Sequence, residues 1–517
     1  MAKYKKYSYD QGKFIPIQFD RQIVPGTFEY TLSYLVDNEI DLSVFEQRYK
    51  NDETGAPAYD PAIMLKIVLF AYSRGIVSSR KIARCCRENV IFMALSADTR
   101  PHFTTIADFV SCSGGEIATL FSEVLLICDE MQLIGKEMFA IDGCKLPSNA
   151  SKEWSGTKAE FGKKKKKMER AVRRILQKHR EMDKTVANED VIAADRRYVE
   201  TLRSQIRKIK EWMDDNDDKP GKSGKPIKSN VTDNDSAKMK SSNGVIQGYD
   251  GVASVDSKHQ VVVHAEAFGK AQEHDLLEPM IEGTRENFQA INSNDNVFEK
   301  TKLTADAGFH TEANMKMLAK ENIDGYVADI LFRKRDPRFV DRDRYKTRHR
   351  QEQKKMNKTP ADMFTVEDFT FSEDKSYCLC PAGKRLSRSG DTVDIGNFRA
   401  IRFRGLKSLC SVCEIRSKCL KHPERTELRQ VYCFVGRSEK GQETYTQKMK
   451  YKIDSTLGRF IYSKRIGTVE PVFANIRNAL GLDRFTLRGK RKVDTQWKLY
   501  CIVHNLLKVH RYGIQFE

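Results

Sequence analysis

Apolar positions in this chain of 517 residues change their spacing several times, and each change marks a different kind of element. In residues 1–137 they recur every three to four positions, the period of helices packed on one face. "YDPAIMLKIVLFAYSRG" predicts a helix with Asp60 as N-cap, Pro61 in the first turn and Gly75 as the stop. Ser78 or Ser79 opens a second helix, "RKIARCCREN", and Thr104 or Thr105 opens "IADFVSC". At "MFAIDGC", 138–144, the pattern becomes a short unbroken apolar run, a buried strand ending on Asp142 and Gly143. "LTADAGF", 303–309, repeats the arrangement and ends on Asp306.

From 158 to about 218 the chain is highly charged but keeps two helical seams. Met168, Val172, Ile175, Met182 and Val186 form one; Val199, Leu202, Ile206, Ile209 and Met213 form the other. The expectation is a helical hairpin turning at "ANED", 187–190, with the lysine run 163–167 near its base. "DDNDDKPGKSGKPIKSN", 214–230, has the composition of a flexible linker. Alternation returns in "NGVIQGYDGVASVDSKHQVVVHAEAF", where "DSKH" supplies a hairpin turn. "HTEANMKMLAKENI" then predicts a helix and "DGYVADI" another strand. Strands and helices alternating around two strand-end acids predict an α/β layer. Residues 331–454 hold a basic stretch, short strands and a cysteine cluster, and 455–517 is helical.

Charge narrows the partners. Lys and Arg outnumber Asp and Glu by 90 to 71, a formal +19, which favours a polyanion; a solvated basic surface gives the same balance. Arg74, Arg80, Lys81, Arg84, Arg87 and Arg100 on short helices suit a helix-turn-helix laid on DNA, and equally a plain helical bundle with a basic face. No apolar run approaches the roughly 20 residues that span a bilayer. "MAKYKKYSYDQGKF" has no apolar segment behind its basic residues, so no secretory signal is expected. The expectation is a cytoplasmic protein without a membrane partner.

Two strand-end acids prompt a search for a third. Glu470 in "YSKRIGTVEPVFANIRNAL" is the candidate: Thr468 as a cap and Pro471 in a first turn place it at a helix start, on the flank it shares with Arg477. Taken alone, Glu470 is equally well explained by the helix dipole. As a set, three carboxylates need a compensating charge. Hard oxygen ligands suit Mg²⁺ or Mn²⁺, and two such ions about 4 Å apart serve phosphodiester cleavage. Asp256, also at a strand end, is the rival acid; Asp233, Asp235 and Asp250 read as turn or cap residues.

Of twelve cysteines, five lie between 378 and 419, in "CLCPAGKRL" and "CSVCEIRSKC". Cys410 and Cys413 form a CxxC half-site that Cys380 and Cys419 complete to four thiolates for a structural Zn²⁺, with His422 to spare. Metal-free reduced cysteines are the competing reading, and an iron–sulfur cluster a third.

Several blocks together carry a family resemblance over nearly the whole chain except 158–229. "YDPAIMLKIVLFAYSRGIVSSRKIARCCRENV" with "RPHFTTIADF", "AIDGCKLPSNASK", "NVTDNDSAKM" with "GYDGVASVD", "LTADAGFHTEAN", "YSKRIGTVEPVFANIR" and "FTLRGKRKVDTQWKLYCIVHNLLKV" resemble the DDE transposases of bacterial insertion sequences. The resemblance implies a ribonuclease-H-like mixed sheet flanked by helices. To it are added an N-terminal all-α DNA-binding domain over 1–137, a basic helical arm and linker over 158–229, and a small β-rich cysteine insertion over 331–454. The catalytic domain is then 138–330 joined to 455–517. By motif, Asp142, Asp306 and Glu470 become the ligands of two Mg²⁺, and Tyr462, Arg465 and Arg477 contact phosphates. Two departures stand out: four residues rather than three separate Arg465 from Glu470, and the last basic position is Arg477 rather than lysine. The implied activity is hydrolysis at the ends of an insertion sequence followed by strand transfer into target DNA. It would be carried out near the nucleoid by a homodimer or larger synaptic complex on double-stranded DNA. A standalone ribonuclease-H-like nuclease and a catalytically silent DNA-binding protein are the alternatives.

Overall fold

In the computed structural model, which describes residues 16–47, 57–182, 189–221, 224, 226–241, 244–291, 296–339, 363–395, 398–437 and 444–513, the chain divides into two compact units. One joins the residues before 330 to those after 454; the other is 330–454.

The first unit is built on a mixed sheet. Its strands are β1 (Met138–Pro147), β2 (Ala237–Ser241), β3 (Gly244–Asp256), β4 (Val262–Phe268), β5 (Lys302–Ala305) and β6 (Gly325–Val327). The long β3 pairs antiparallel with β1 on one side, and with β2 and then β4 on the other. β1 continues into β5 and β5 into β6, both parallel, so the order is β3–β1–β5–β6 with β2 and β4 beyond β3. The expected strand at 138–142 therefore runs on to Pro147, since every step from Phe139 to Pro147 has a partner in β3. "DSKH" is the expected turn between β3 and β4, and the predicted helix after Asp306 spans Glu312–Lys320 with Thr311 as its N-cap.

The helix Lys490–Tyr512 organises the rest of this unit. Ten consecutive side chains, Leu499 and Tyr500 to Leu506 among them, are almost all buried, because the helix is covered on several faces. On one face it borders β4: Asn505 accepts from the Val262 amide and donates to the Val262 carbonyl, each at 2.8 Å, and Asp494 accepts from the Ala267 amide. Those backbone groups belong to a strand edge, and the helix satisfies them there. Trp497 lies on Gly251, where a Cβ would stand 3.0 Å from the indole, and donates to the Val252 carbonyl. On another face the helix meets the N-terminal helices, through Tyr500 on Tyr72 (centroids 4.9 Å apart) and His510 on Thr31 and Phe28.

Those N-terminal elements follow local rules. Asp60 caps Pro61–Ser73 by accepting from the Ala62 amide at 2.7 Å, and Gly75 ends it at φ +70°. The Ser79–Glu88 helix follows Ser78 as expected. A short helix, Val90–Leu95, comes next, and the third expected helix begins at Phe103, not at Thr104 or Thr105: the cap is the His102 ring, which accepts from the Thr104 amide.

The charged segment forms two helices, Lys158–Met182 and Glu189–Asp215, packed along the seam of Val172, Val199 and Leu202 with Met168, Ile175 and Ile206 beside them. Val186 and the Met182 side chain lie outside the described residues. At the base, Phe161, Ile209 and Trp212 cluster, and Ser155–Gly156 pairs with Ser229–Asn230. The segment read as a flexible linker is tied at both ends. Asp218 accepts from the Lys158 amide at 2.8 Å, Asp217 pairs with the Lys158 ammonium, and Lys219 bridges to Ile227. Lys222, Ser223 and Lys225 lie outside the described residues.

The second unit carries a six-stranded antiparallel sheet, with Phe398–Arg404 and Gln430–Arg437 as its longest pair. Its core is small: Phe369, Cys378, Leu386, Ile401, Phe403 and Val431. Among the described residues no single helix is long and apolar enough to cross a membrane.

Candidate functional site

Parallel register brings the two acids together, Asp142 midway along β1 rather than at its expected end and Asp306 just past the end of β5. Ile141 of β1 stands opposite Ala305 of β5, so Asp142 and Asp306 are the next residues along neighbouring strands, both at the end of their apolar runs. Asp142 turns into a largely enclosed position, with its side chain 15% exposed, while Asp306 is 42% exposed. The Gly143 amide donates to Asp142 Oδ1 at 2.8 Å.

The helix Thr456–Ala474 lies over this strand end and packs through Ile461 on Met138 and Tyr326. From it Arg465, almost wholly buried, pairs with both acids: Nη1 donates to Asp142 Oδ2 and Nη2 to Asp306 Oδ1 at 3.3 Å. Tyr462, one turn earlier, places its ring 5.6 Å from the same guanidinium. Burial, opposed by Arg465 and helped by Asp306, leaves the Asp142 carboxyl raised to about 6. Burial also works against the Arg465 charge, but Asp142, Tyr462 and Asp306 more than offset it and keep the guanidinium protonated. Burial raises the Tyr462 hydroxyl above its ordinary range.

Glu470 sits differently. Ser455 is the N-cap, accepting from the Gly458 amide, and the helix passes through 467–474 without a new start, so the expected cap at Thr468 is absent. Thr468 instead donates to the Lys464 carbonyl one turn back. Pro471 lies inside the helix. It cannot donate to the Gly467 carbonyl, and the Gln260 side chain does so at 3.1 Å. Five residues on from Arg465, Glu470 is turned about 140° around the helix axis, while Val469, fully buried, holds the position four after Arg465. Glu470 and Arg477 are both exposed, and both charges act on the buried Cys144 thiol two residues after Asp142. After Ala474 the coil widens into a π-helical turn, Asn475–Ala479, which carries Arg477. The structure thus gathers Asp142, Asp306, Arg465 and Tyr462, with Glu470 and Arg477 on an adjacent flank. Among the described residues, no three His, Cys, Asp or Glu side chains are already drawn in on one point as metal ligands.

The basic residues of the N-terminal helices lie apart from these acids in sequence. In Ser79–Glu88, Ile82, Ala83 and Cys86 are buried while Arg80, Lys81 and Arg84 are exposed. Arg80 stacks over Phe103, Arg84 pairs with Glu88, and Arg74 lies over Phe70 with Glu29 3.6 Å away.

Two stretches of the chain match known families. Residues 17–112 match one described as a transposase domain (DUF772), and residues 379–510 match one described as a transposase DDE domain. The chain belongs to the DDE-type transposases. No curated protein matches it. In this transposase Tyr462, Arg465, Glu470 and Arg477 fall within the second matched stretch, whereas Asp142 and Asp306 lie between the two.

Two further charged residues of this transposase, Lys145 and Glu273, escaped the sequence reading, and Asp250 has a different role from the one expected of it. Lys145 stands opposite Asp250 across β1 and β3 and binds Glu273 at 2.7 Å. Asp250 is buried and faces Glu273; burial first, then Glu273, pushes its carboxyl well up, and Lys145 pulls it partly back. Asp250 is therefore no turn or cap residue. Asp233 and Asp235 are caps, accepting from the Gly489 and Lys490 amides at the start of the C-terminal helix. Asp256, the rival acid, spends its oxygens on the Gly135, Lys136 and Lys258 amides. The signal for the Asp250–Glu273 pair was present in the two strand-end motifs. A Cβ on Gly143 would stand 2.6 Å from Asp250 Oδ1, and one on Gly308 2.0 Å from Glu273 Oε2. Each glycine admits a second carboxyl behind the first.

Proposed function

We propose that this transposase binds the terminal inverted repeats of an insertion sequence and, with Mg²⁺ or Mn²⁺, hydrolyses a phosphodiester at each end and joins the freed 3′ hydroxyl to target DNA. The observation that carries the reading is the pair of aspartates side by side on parallel strands, Asp142 within β1 and Asp306 just past β5, held by one buried arginine from the helix that also bears Glu470. The strand order, with antiparallel β3 beside parallel β1, β5 and β6, supports a ribonuclease-H-like catalytic core.

Asp142 and Asp306 already share a cation, which is the fit expected of residues that hold metal. We assign them, with Glu470, as the residues that would hold the ions. When bound, such ions polarise the scissile phosphate and activate the attacking oxygen. The protein side of the chemistry follows from position. Arg465 leaves the aspartates for a phosphate oxygen as its carboxylate partners are taken up, and its buried, protonated guanidinium offers two donors for that contact. Tyr462 keeps its hydroxyl proton and donates it in a hydrogen bond rather than acting as a base. Arg477, beside Glu470, meets the DNA strand along the same flank. The exposed Arg80, Lys81 and Arg84, with Arg74, contact backbone phosphates of the repeat. Two ends must be processed together, so the active form is a homodimer or a larger synaptic complex.

The test incubates the protein and Mg²⁺ with labelled DNA carrying its native element ends. Joined products support transposition; cuts without joining identify a nuclease; retention without cutting identifies a DNA-binding protein. Asp142→Asn should abolish cleavage and joining while DNA retention persists, and cleavage by that variant would remove the assignment.

A further inference from the structure

We propose that Cys380, Cys410, Cys413 and Cys419 bind one structural Zn²⁺ that staples the loop before Gln430 to the hairpin of the second unit.

These four thiols line one small cavity of about 30 Å³. Cys380, Cys410 and Cys413 each act electrostatically on the Cys419 thiol, so the four share one neighbourhood. All are reduced. The remaining candidates are set aside by the fold. Cys378 is fully buried in the core beside Leu386 and Phe403, Cys433 does not line the cavity, and His422 is exposed with Glu424 3.7 Å away. One CxxC pair and two outlying cysteines are the donor set of a closed tetrahedral zinc site, and four soft sulfurs without a spare position favour Zn²⁺ over harder cations.

The backbone around the cavity is fixed without help from a metal. After Cys380 the chain makes a tight turn: the Gly383 amide donates to the Cys380 carbonyl at 2.7 Å, with Gly383 at φ +69°. Arg416 donates to the carbonyls of Cys410, Pro423, Thr426 and Glu427, and Arg429 to the Cys419 carbonyl. A Cβ at Gly405 would stand 2.7 Å from the Cys410 sulfur, so glycine there makes room for it. Both arginines line the cavity, and Arg429 pulls the Cys419 thiol down against its burial. They offset part of the charge that four thiolates bring.

The four sulfurs are not drawn in on a common point. Nothing in neutral thiols draws them together, and thiolates repel one another; the ion supplies the attraction. As four Zn–S bonds form, the four S–H protons pass to solvent, which links closure of the cavity to folding of the unit. The unit's core is small enough for such a staple to matter.

The test measures metal in the full chain purified under reducing conditions without chelator. One zinc per chain is expected. The Cys410→Ser/Cys413→Ser double variant should lose at least nine-tenths of it, and Cys433→Ser should keep it. Because the double variant could lose metal by misfolding, the wild-type protein is also exchanged into Co²⁺. A tetrahedral four-thiolate site then shows intense thiolate-to-cobalt charge-transfer and visible bands. Wild-type protein that neither holds nor takes up zinc, a double variant with undiminished zinc, iron in its place, or a cobalt spectrum without the thiolate bands would each overturn the proposal.

Discussion

Arg465 is the cation that Asp142 and Asp306 share, and replacing it with glutamine should steepen the fall of stability with pH between 6 and 8. In the wild type, burial raises Asp142 to about 6 against an ordinary value of 3.8. A carboxyl whose folded value is raised favours folding below its unfolded value, and that contribution is lost as pH climbs through the folded value. For Asp142 in the wild type the loss is nearly complete above pH 6 and amounts to about two pKa units, on the order of 3 kcal/mol. Arg465 is the group that pulls Asp142 down. In Arg465→Gln the folded value therefore moves above 6, and the loss continues through neutrality at up to about 1.4 kcal/mol per pH unit. The stability gap between wild type and variant should widen by as much as roughly 3 kcal/mol from pH 6 to pH 8, the larger part of what breaking a buried ion pair typically costs. Urea denaturation in EDTA at half-unit pH steps, followed by tryptophan fluorescence, measures it. The Asp142→Asn/Arg465→Gln double variant should lose the extra slope. A gap that stays constant between pH 6 and 8, or a double variant that keeps the slope, would refute the reasoning.

Three more outcomes are expected. Asn505→Ala leaves the Val262 amide and carbonyl buried without partners and should cost about 2–4 kcal/mol, read as a lower melting temperature. Gly308→Ala meets Glu273, which Lys145 tethers, and should cost about 1–3 kcal/mol; adding Glu273→Ala should recover much of it. Lys81→Ala and Arg84→Ala should weaken binding to element-end DNA alike across sequences and lower the salt slope by about one per lost phosphate contact, measured by titration at several salt concentrations.

What was legible in the sequence was local. The Asp60 cap, the Pro61 first turn and the Gly75 stop each depend on neighbours a few residues away, and the structure has all three. The arm's seams could be read because a step of three and four sets which side chains meet, and Val172, Val199 and Leu202 do meet. Glu470 was misplaced within its helix because Thr468 and Pro471 together imitate a helix start. What keeps the helix going there is the Gln260 amide on the Gly467 carbonyl, a partner more than two hundred residues away that no local pattern contains. Asp250 failed for a related reason. Its role depends on standing opposite Lys145, and that register is set by the whole β1–β3 ladder. The Asp142–Asp306 pairing was foreseeable as two similar motifs, but that Arg465 bridges the two acids was not, because it lies 159 residues further along the chain than the nearer of them.

The placement of Lys490–Tyr512 bears on how the protein is made. This helix supplies surface to Tyr72 and Thr31 near one end of the chain and to β4 in the middle, yet the ribosome delivers it long after both. A nascent chain halted before it would display the apolar faces of its first helices with nothing to cover them. A premature stop in the message would therefore yield aggregation-prone polypeptide rather than a small fragment able to compete with the longer chain for DNA.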